Sequence, residues 1–268
     1  MLIVLALSLC AAAVCAAATA DTDREGRRAM VLDRIKSGAG KRAEELLNAT
    51  AGKPTRDFTN TALSVLVAGE DPQLAEKLLT HAFSLQDMKA DSPTFGYVPW
   101  TEGDQDIRLD PNSIEFATHS MGPILQLYGD KLSDKFKRDI KPHVRAAFAA
   151  LRLHHPPVSY TNIYLMNTVG MILMGEAIGD KKAAADGYAQ LDIWLDYTRK
   201  AGIHEYDSPV YYAVDLDNVV IGYRLAQNPE GKAKLKAILD CFWSSSPPTA
   251  TSPAQRAATT TSSAIPAV

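Results

Sequence analysis

The 268-residue chain has few cysteines and no excess of one charge. Two of its 3 cysteines, Cys10 and Cys15, lie in an N-terminal segment that we expect to be removed, so Cys241 alone cannot form an internal disulfide. The 28 basic and 31 acidic side chains give a formal net charge of −3, without any long basic run. The sequence therefore lacks the electrostatic signature of a nucleic-acid-binding protein.

The sequence also lacks common catalytic and cofactor motifs. It contains no G-x-S-x-G, no P-loop and no dinucleotide-binding fingerprint, which argues against nucleotide-dependent chemistry. The histidines other than His204 have no metal-ligand spacing with one another or with Cys241. We therefore expect neither a metal nor a cofactor.

Residues 1–20 are predicted to be a secretory signal peptide. The segment has no charged side chain, is apolar or small nearly throughout, and ends in Ala18-Thr19-Ala20. We expect cleavage after Ala20, a secreted or periplasmic location, and no stable membrane insertion afterwards. The alternative is an uncleaved anchor, because the apolar run is at the lower limit for spanning a membrane.

Residues 244–268 differ in composition from the rest of the chain. They comprise six Ser, five Thr, four Pro and six Ala among 25 residues. One interpretation is a disordered, solvated tail. The other is a frameshift, because the codons of Pro, Thr and Ala and most codons of Ser share a middle C, as a GC-rich gene read out of frame would give. A frameshift would leave the domain 21–243 truncated, and we would then expect this chain to be inactive.

The middle of the chain has the periodicity of helices. Apolar residues recur at spacings of three and four, and no stretch sustains an alternation of period two, which predicts an all-α domain. Helix 161–178 is apolar around most of its circumference, whereas helix 181–200 has one apolar stripe. This alternation predicts antiparallel helix pairs forming an incomplete (α/α) toroid, with an open solenoid as the alternative. The predicted helices are 24–37, 41–51, 58–69, 72–86, 112–128, 133–153, 161–178, 181–200, 213–227 and 229–243.

Two long connections, residues 87–111 and 201–212, are candidate functional loops. In the first, Tyr97 and Trp100 are candidates to stack on a sugar ring. The acids Glu102, Asp104 and Asp106 are candidates to bind its hydroxyls or a cation, although their run lacks the glycine and distal glutamate of an EF-hand loop. The alternative is a packed irregular loop with solvated acids.

The start of helix 161–178 is a second candidate site. Asn162, Tyr164 and Asn167 are polar groups on an otherwise apolar helix, close to an N-terminus that favours an anion. Asn162 and Tyr164 are therefore candidates to bind substrate, with capping and core hydrogen bonding as the alternative.

The connection 201–212 is dense in proton donors and acceptors. Its candidates are the catalytic residues His204, Tyr206 and Tyr211 and the substrate-binding residues Glu205 and Tyr212. Such groups are suited to abstracting a proton next to a uronic carboxylate, which Asn162 or Arg224 would neutralise. Alternatively, Glu205 and Asp207 are the acid and base of a glycosidase, or the tyrosines simply pack the end of the domain.

Three segments resemble one group of known proteins. They are residues 160–167 (YTNIYLMN), 175–180 (GEAIGD) and 202–212 (GIHEYDSPVYY). Over roughly residues 70–243, the chain resembles uncharacterised secreted α/α-toroid proteins related to the heparinase II/III-like and alginate-lyase-like polysaccharide lyases.

The resemblance implies a role for several residues. Asn162 would neutralise the uronate carboxylate, His204 or Tyr206 would take the C5 proton, and a tyrosine would protonate the leaving oxygen. Many such lyases carry a histidine directly after the asparagine, where this chain has Ile163.

The resulting expectation is a secreted polysaccharide-active protein that performs lyase-like β-elimination on a uronate-containing glycan. Its partner would be a polysaccharide or oligosaccharide. A glycoside hydrolase of the same toroid class and a non-catalytic carbohydrate-binding or structural helical protein are the alternatives.

Overall fold

The computed structural model describes residues 2–50, 52–104, 110–205 and 208–245, with side chains from residue 23 onward except at 209 and 245. Every regular element in these ranges is a helix, which confirms the predicted all-α class. The helices are α1 (Leu2–Leu47), α2 (Thr55–Ala68), α3 (Pro72–Ser84), α4 (Ser113–Thr118), α5 (Met121–Tyr128), α6 (Asp134–His154), α7 (Thr161–Ile178), α8 (Lys181–Ala201), α9 (Pro209–Leu225) and α10 (Pro229–Ser245).

Some helix boundaries differ from the sequence-based prediction. The predicted break after residue 37 is wrong, because α1 continues through Gly38 and Gly40. The helix predicted over 112–128 is divided into α4 and α5. The sequence Asp110-Pro111 is typical of an N-cap followed by a first-turn proline. In the structure, Asp110 accepts a hydrogen bond from the backbone amide of Asn112 at 3.1 Å and so stabilises a turn before α4.

Other predicted helix ends are confirmed. Asp71 accepts a hydrogen bond from the amide of Gln73 at the start of α3, and Ser133 accepts one from Phe136 at the start of α6. Gly179 ends α7 at a φ of 73°, a left-handed conformation that glycine adopts without steric cost. Local side-chain chemistry thus fixes where these helices begin and end.

Three helices, α5, α7 and α9, lie side by side and run in the same direction. Near the end of α5, the side chain of Gln126 donates to the carbonyl of Leu173 in α7 at 3.0 Å. Just after α9, the amide of Gln227 donates to Glu176, near the end of α7, at 2.9 Å. Because the late parts of α5, α7 and α9 meet, their N-terminal ends face a common side.

Helices α2 and α4 extend this arrangement. Ser120, between α4 and α5, donates to Asn60 of α2 at 2.6 Å, and the Arg56 guanidinium lies 5.5 Å from the Phe116 ring centroid. Four parallel segments, α2, α4–α5, α7 and α9, therefore form one layer, which we call the parallel row.

The remaining helices pack against the parallel row, and α6 and α8 run opposite to α7. The Asn167 side chain of α7 donates to the carbonyl of Leu151 in α6, and the Tyr164 hydroxyl donates to the carbonyl of Gln190 in α8. Residues Thr161 to Gly175 of α7 are all buried, whereas α8 buries one stripe. This confirms the predicted contrast between an enclosed helix and an amphipathic neighbour.

The crossing of α7 and α8 depends on Gly187. A Cβ atom at this position would lie 2.8 Å from the carbonyl oxygen of Thr168 and 2.7 Å from the Ile172 side chain. Glycine therefore permits a backbone approach that any larger residue would prevent.

The N-terminal side of the parallel row positions the candidate site. The connections that lead into α4, α7 and α9 necessarily reach this side, and the helix dipoles there present their positive ends together. None of the helices in the described part of the chain has the length and hydropathy of a membrane span.

Candidate functional site

A carboxylate is bound at the start of α7. The backbone amide of Asn162 donates to Glu205 Oε2 at 2.7 Å, and the Asn162 carboxamide donates to Glu205 Oε1 at 2.5 Å. Asn162 is 2% exposed, whereas Glu205 is half-buried on the connection between α8 and α9. The N-cap residue Tyr160 provides no side-chain cap, so Glu205 supplies the acceptor that a helix start requires. We call Asn162 and its bound carboxylate the Asn162 niche.

Two tyrosines and a further asparagine lie around the niche. The Tyr160 hydroxyl accepts a hydrogen bond from the Asn112 carboxamide at 3.2 Å. Burial raises the pKa of Tyr160, and the charges of Asp110, Tyr211 and Glu205 add to that effect. The Tyr160 hydroxyl therefore lies in the field of Glu205 and the half-exposed Tyr211.

An unusual buried acid lies on the neighbouring helix α9. Asp215 is fully buried, and neither of its carboxyl oxygens has a hydrogen-bond partner within the described residues. Burial, reinforced by the charge of Glu205, raises the pKa of Asp215 to about 8. Asn218, one turn farther along, also has a buried side-chain oxygen without a partner in the described part. Such groups are rare in folded proteins and indicate an unfilled polar contact.

A second carboxylate network lies between α4, α6 and α7. Glu115 Oε1 accepts from Asn167 Nδ2 at 2.9 Å and lies 2.8 Å from His154 Nδ1. Burial raises the pKa of Glu115, while the two hydrogen-bonded partners oppose the rise. Asn167 is one of the polar residues predicted on the otherwise apolar helix 161–178, but nothing in the sequence connects it or His154 with Glu115. We call these three residues the Glu115 network.

Several predicted site residues point elsewhere. The Tyr164 ring is buried and its hydroxyl donates to Gln190, and burial raises its pKa to about 12. The Tyr212 hydroxyl donates to the carbonyl of Phe242. These two tyrosines tie helices together, as the packing alternative proposed.

Of two further candidates, one lies far from the niche and the other is next to Glu205 in the chain. Arg224 is exposed in the last turn of α9, about 20 Å along the helix from Tyr211, so the structure does not bring it to the Asn162 niche. His204 is exposed, and its Nε2 is 2.6 Å from the Tyr197 hydroxyl. The predicted Tyr206 and Asp207 lie outside the described residues.

The first candidate loop, residues 87–111, does not present its aromatic side chains in the predicted way. Tyr97 is only 5% exposed, so it does not form a sugar-stacking platform with Trp100. The centroid of the half-buried Trp100 ring instead lies 5.1 Å from the centroid of the Phe116 ring. It lies 5.7 Å from the guanidinium carbon of Arg56. Glu102 Oε2 lies 3.4 Å from His81 Nε2. Trp100 therefore remains the one aromatic candidate of this loop with an accessible surface.

A surface cavity of about 580 Å³ lies apart from the niche. Its lining includes Gln73, Lys77, His81 and Ser133, from α3 and the start of α6, and none of the predicted site residues. The described residues contain no group of three or more His, Cys, Asp or Glu side chains arranged to hold a metal ion.

Comparison with known proteins gives a family without an assigned activity. No curated protein and no solved structure matches the chain. A family model described as a domain of unknown function, DUF8769, matches residues 82–245. That match spans more than half of the sequence and covers the Asn162 niche and the Glu115 network, and the chain therefore belongs to the DUF8769 family.

Proposed function

We propose that this chain is a secreted polysaccharide-active protein that binds a uronate-containing glycan at the N-terminal side of the parallel row and acts on it by lyase-like β-elimination. The parallel row and its antiparallel partners would form part of an (α/α) toroid. The observation that carries the proposal is the Asn162 niche, in which one carboxylate is held by both amide groups of a buried asparagine.

Carboxylate binding of this kind is what β-elimination needs. Removing the proton at C5 of a uronate places negative charge on the adjacent carboxylate, and hydrogen-bond donors fixed around that group lower the energy of the charged intermediate. The backbone amide and carboxamide of Asn162 are such donors, and the dipole of α7 acts in the same direction. A uronate carboxylate bound in the position of Glu205 would use all three.

The neighbouring side chains supply candidate proton acceptors and donors. His204 is exposed beside Glu205, and a neutral imidazole is a suitable base near neutral pH. A tyrosine hydroxyl is protonated at neutral pH, so we assign Tyr160 to donate a proton to the leaving oxygen. The C5–H and C4–O bonds break, a C4=C5 double bond forms, and the proton lost at C5 is balanced by the one given to the leaving oxygen.

The direct test is incubation with alginate, glucuronan, pectate and glycosaminoglycans, followed by ultraviolet absorbance of the unsaturated product. Two proteins should be tested. One is the 268-residue chain, and the other has the codons after Trp243 translated in the alternate reading frame. Absorbance that rises with time on one of these polymers supports the proposal. No rise from either form on any of them refutes lyase activity.

His204→Asn tests the assignment of the base, with His155→Asn as the matched control. We expect kcat to fall by about 100-fold or more for His204→Asn, a usual magnitude for general acid–base catalysis. His155 is exposed with a φ of 38°, a conformation that asparagine tolerates, so its variant should keep wild-type activity and stability. Equal activities of the two variants would exclude His204 as the base.

A second candidate, a glycoside hydrolase, is favoured by the buried acid on α9. Asp215 and Glu205 are carboxyl groups in contrasting environments, and such pairs often divide the roles of acid and base. This candidate predicts release of reducing sugar without ultraviolet absorbance, and its loss in Asp215→Asn. Absorbance from the unsaturated product would decide for the lyase.

A further inference from the structure

Glu205 makes few interactions besides those with Asn162. Within the described residues, the hydrogen bonds of its carboxylate all go to the amide and carboxamide of that one residue. Glu205 lies on a connection between helices and is half-buried, so its release would not require two helices to separate. The bound carboxylate is therefore held by one residue and can leave at low structural cost.

Glu205 is also an imperfect occupant of the niche. Its negative charge lies close enough to Asp215 to oppose ionisation of that buried acid. Both carboxyl oxygens of Asp215 are buried without a partner in the described residues, and Glu205 has no hydrogen to donate to them when it is ionised. A hydroxyl group both donates and accepts hydrogen bonds, so a ligand with hydroxyls next to its carboxylate would serve both the carbonyl oxygen and the O–H of a protonated Asp215. Uronic acids combine these two groups.

From this geometry we infer that Glu205 is a built-in competitor for the uronate carboxylate. In the ligand-free protein it fills the Asn162 niche. A bound uronate replaces it at the two Asn162 donors and places its hydroxyls toward Asp215. Because Glu205 is attached to the same chain, it competes at a high effective concentration and weakens uronate binding. This inference rests on the proposed recognition of uronates, but it does not depend on catalysis.

Calorimetric titration of the full chain with D-glucuronate tests the inference. We expect Glu205→Gln to bind D-glucuronate at least about tenfold more tightly than the wild type, since a neutral amide competes less well than a carboxylate for charge-assisted hydrogen bonds. Glu70→Gln is the matched control, because Glu70 is exposed at the opposite end of α2 and should leave the affinity unchanged. Asn162→Leu, introduced into Glu205→Gln, should abolish the gain.

Two other ligands define the chemistry of the niche. D-Glucose, which lacks the carboxylate, should bind neither protein, and acetate, which lacks the hydroxyls, should bind Glu205→Gln much more weakly than D-glucuronate. Equal affinity of the wild type and Glu205→Gln for D-glucuronate, including no binding by either, would overturn the inference. Equal binding of acetate and D-glucuronate would overturn the assignment to a sugar acid.

A second variant, Glu205→Asp, distinguishes loss of competition from a direct effect of the glutamine side chain on the ligand. Glu205→Asp keeps the charge but shortens the side chain, so it should reach the niche poorly and also bind D-glucuronate more tightly than the wild type. An affinity no better than that of the wild type would count against competition. The proposed function fails separately: tight binding by Glu205→Gln without turnover of any polymer refutes the reaction and retains the competitor, whereas polymer cleavage with no change in affinity refutes the competitor alone.

Discussion

Two asparagines of α7 each donate to a glutamate, but the two glutamates are held very differently. Glu115, bound by Asn167, is enclosed by three helices and also contacts His154. Glu205, bound by Asn162, comes from a connection and is half-buried. Hydrogen bonds of the same kind therefore serve two different purposes in this protein. The Glu115 network should hold helices together, whereas the Asn162 niche should exchange its occupant.

The largest expected effect is on the Glu115 network. Glu115→Ala removes the shared acceptor and leaves the buried donors of Asn167 and His154 without their partner. Leaving a buried polar group without its partner costs about 1–3 kcal/mol, and because two groups lose theirs we expect a loss of about 3 kcal/mol in the free energy of unfolding measured in urea. The control Glu70→Ala changes an exposed residue and should stay within about 0.5 kcal/mol of the wild type. A loss below about 1 kcal/mol for Glu115→Ala would contradict the structural role.

The same substitution at the two asparagines sharpens the contrast. Asn167→Ala should lower the free energy of unfolding by about 2 kcal/mol, because it leaves a buried carboxylate oxygen and a buried carbonyl without a donor. Asn162→Ala should cost about 1 kcal/mol, since the backbone amide still binds Glu205. Affinity for D-glucuronate should follow the reverse order, with Asn162→Ala the weaker binder. A greater loss of stability at Asn162 than at Asn167 would remove the distinction.

Much of the fold could be predicted from local sequence. The apolar circumference of 161–178 and the single stripe of 181–200 predicted which helix is enclosed, and the structure confirms both. The division of 112–128 could not be predicted in this way, because the apolar spacing continues across residues 119 and 120. There a tertiary contact, from Ser120 to Asn60, accompanies the change of helix.

The site was less predictable than the fold. The density of polar residues in 202–212 predicted that Glu205 is a site residue. It did not predict that the Glu205 carboxylate occupies the position expected of a ligand. Asp215 lies four residues before the buried Val219 and so shares its face of α9, but an acid is rarely fully buried and its type alone predicts exposure. Long-range pairs such as Glu115 with His154 leave no periodic signal in the sequence, because their partners are 39 residues apart.

Asp215 makes the region around the niche sensitive to pH. Its pKa in the folded protein is about 8, above the value near 3.9 of an unfolded chain, so between these values the folded state holds a proton that the unfolded state has lost. Protonation of Asp215 therefore stabilises the folded state at low pH. As the pH rises toward 8, the free energy of unfolding falls by up to about 1.4 kcal/mol per pH unit. Asp215→Asn should therefore remove this slope from urea unfolding measured between pH 5 and 8. Identical slopes for the variant and the wild type would show that Asp215 does not take up the proton.

The smallest expected effect is a shift of the pH profile in Glu205→Gln, which connects the niche with Asp215. Glutamine keeps an oxygen for the Asn162 amide but loses the charge of the carboxylate, so the free energy of unfolding at neutral pH should fall by about 1 kcal/mol, in line with its weaker competition for the niche. The charge that helps to raise the pKa of Asp215 is removed, however, so that pKa should move down and the pH-dependent loss of stability should end at a lower pH. The effect needs no ligand, because it depends only on the charge at position 205, and urea unfolding over the same pH series measures it. A profile that does not move would mean that Glu205 and Asp215 do not interact, and that the niche and the buried acid are separate features of the fold.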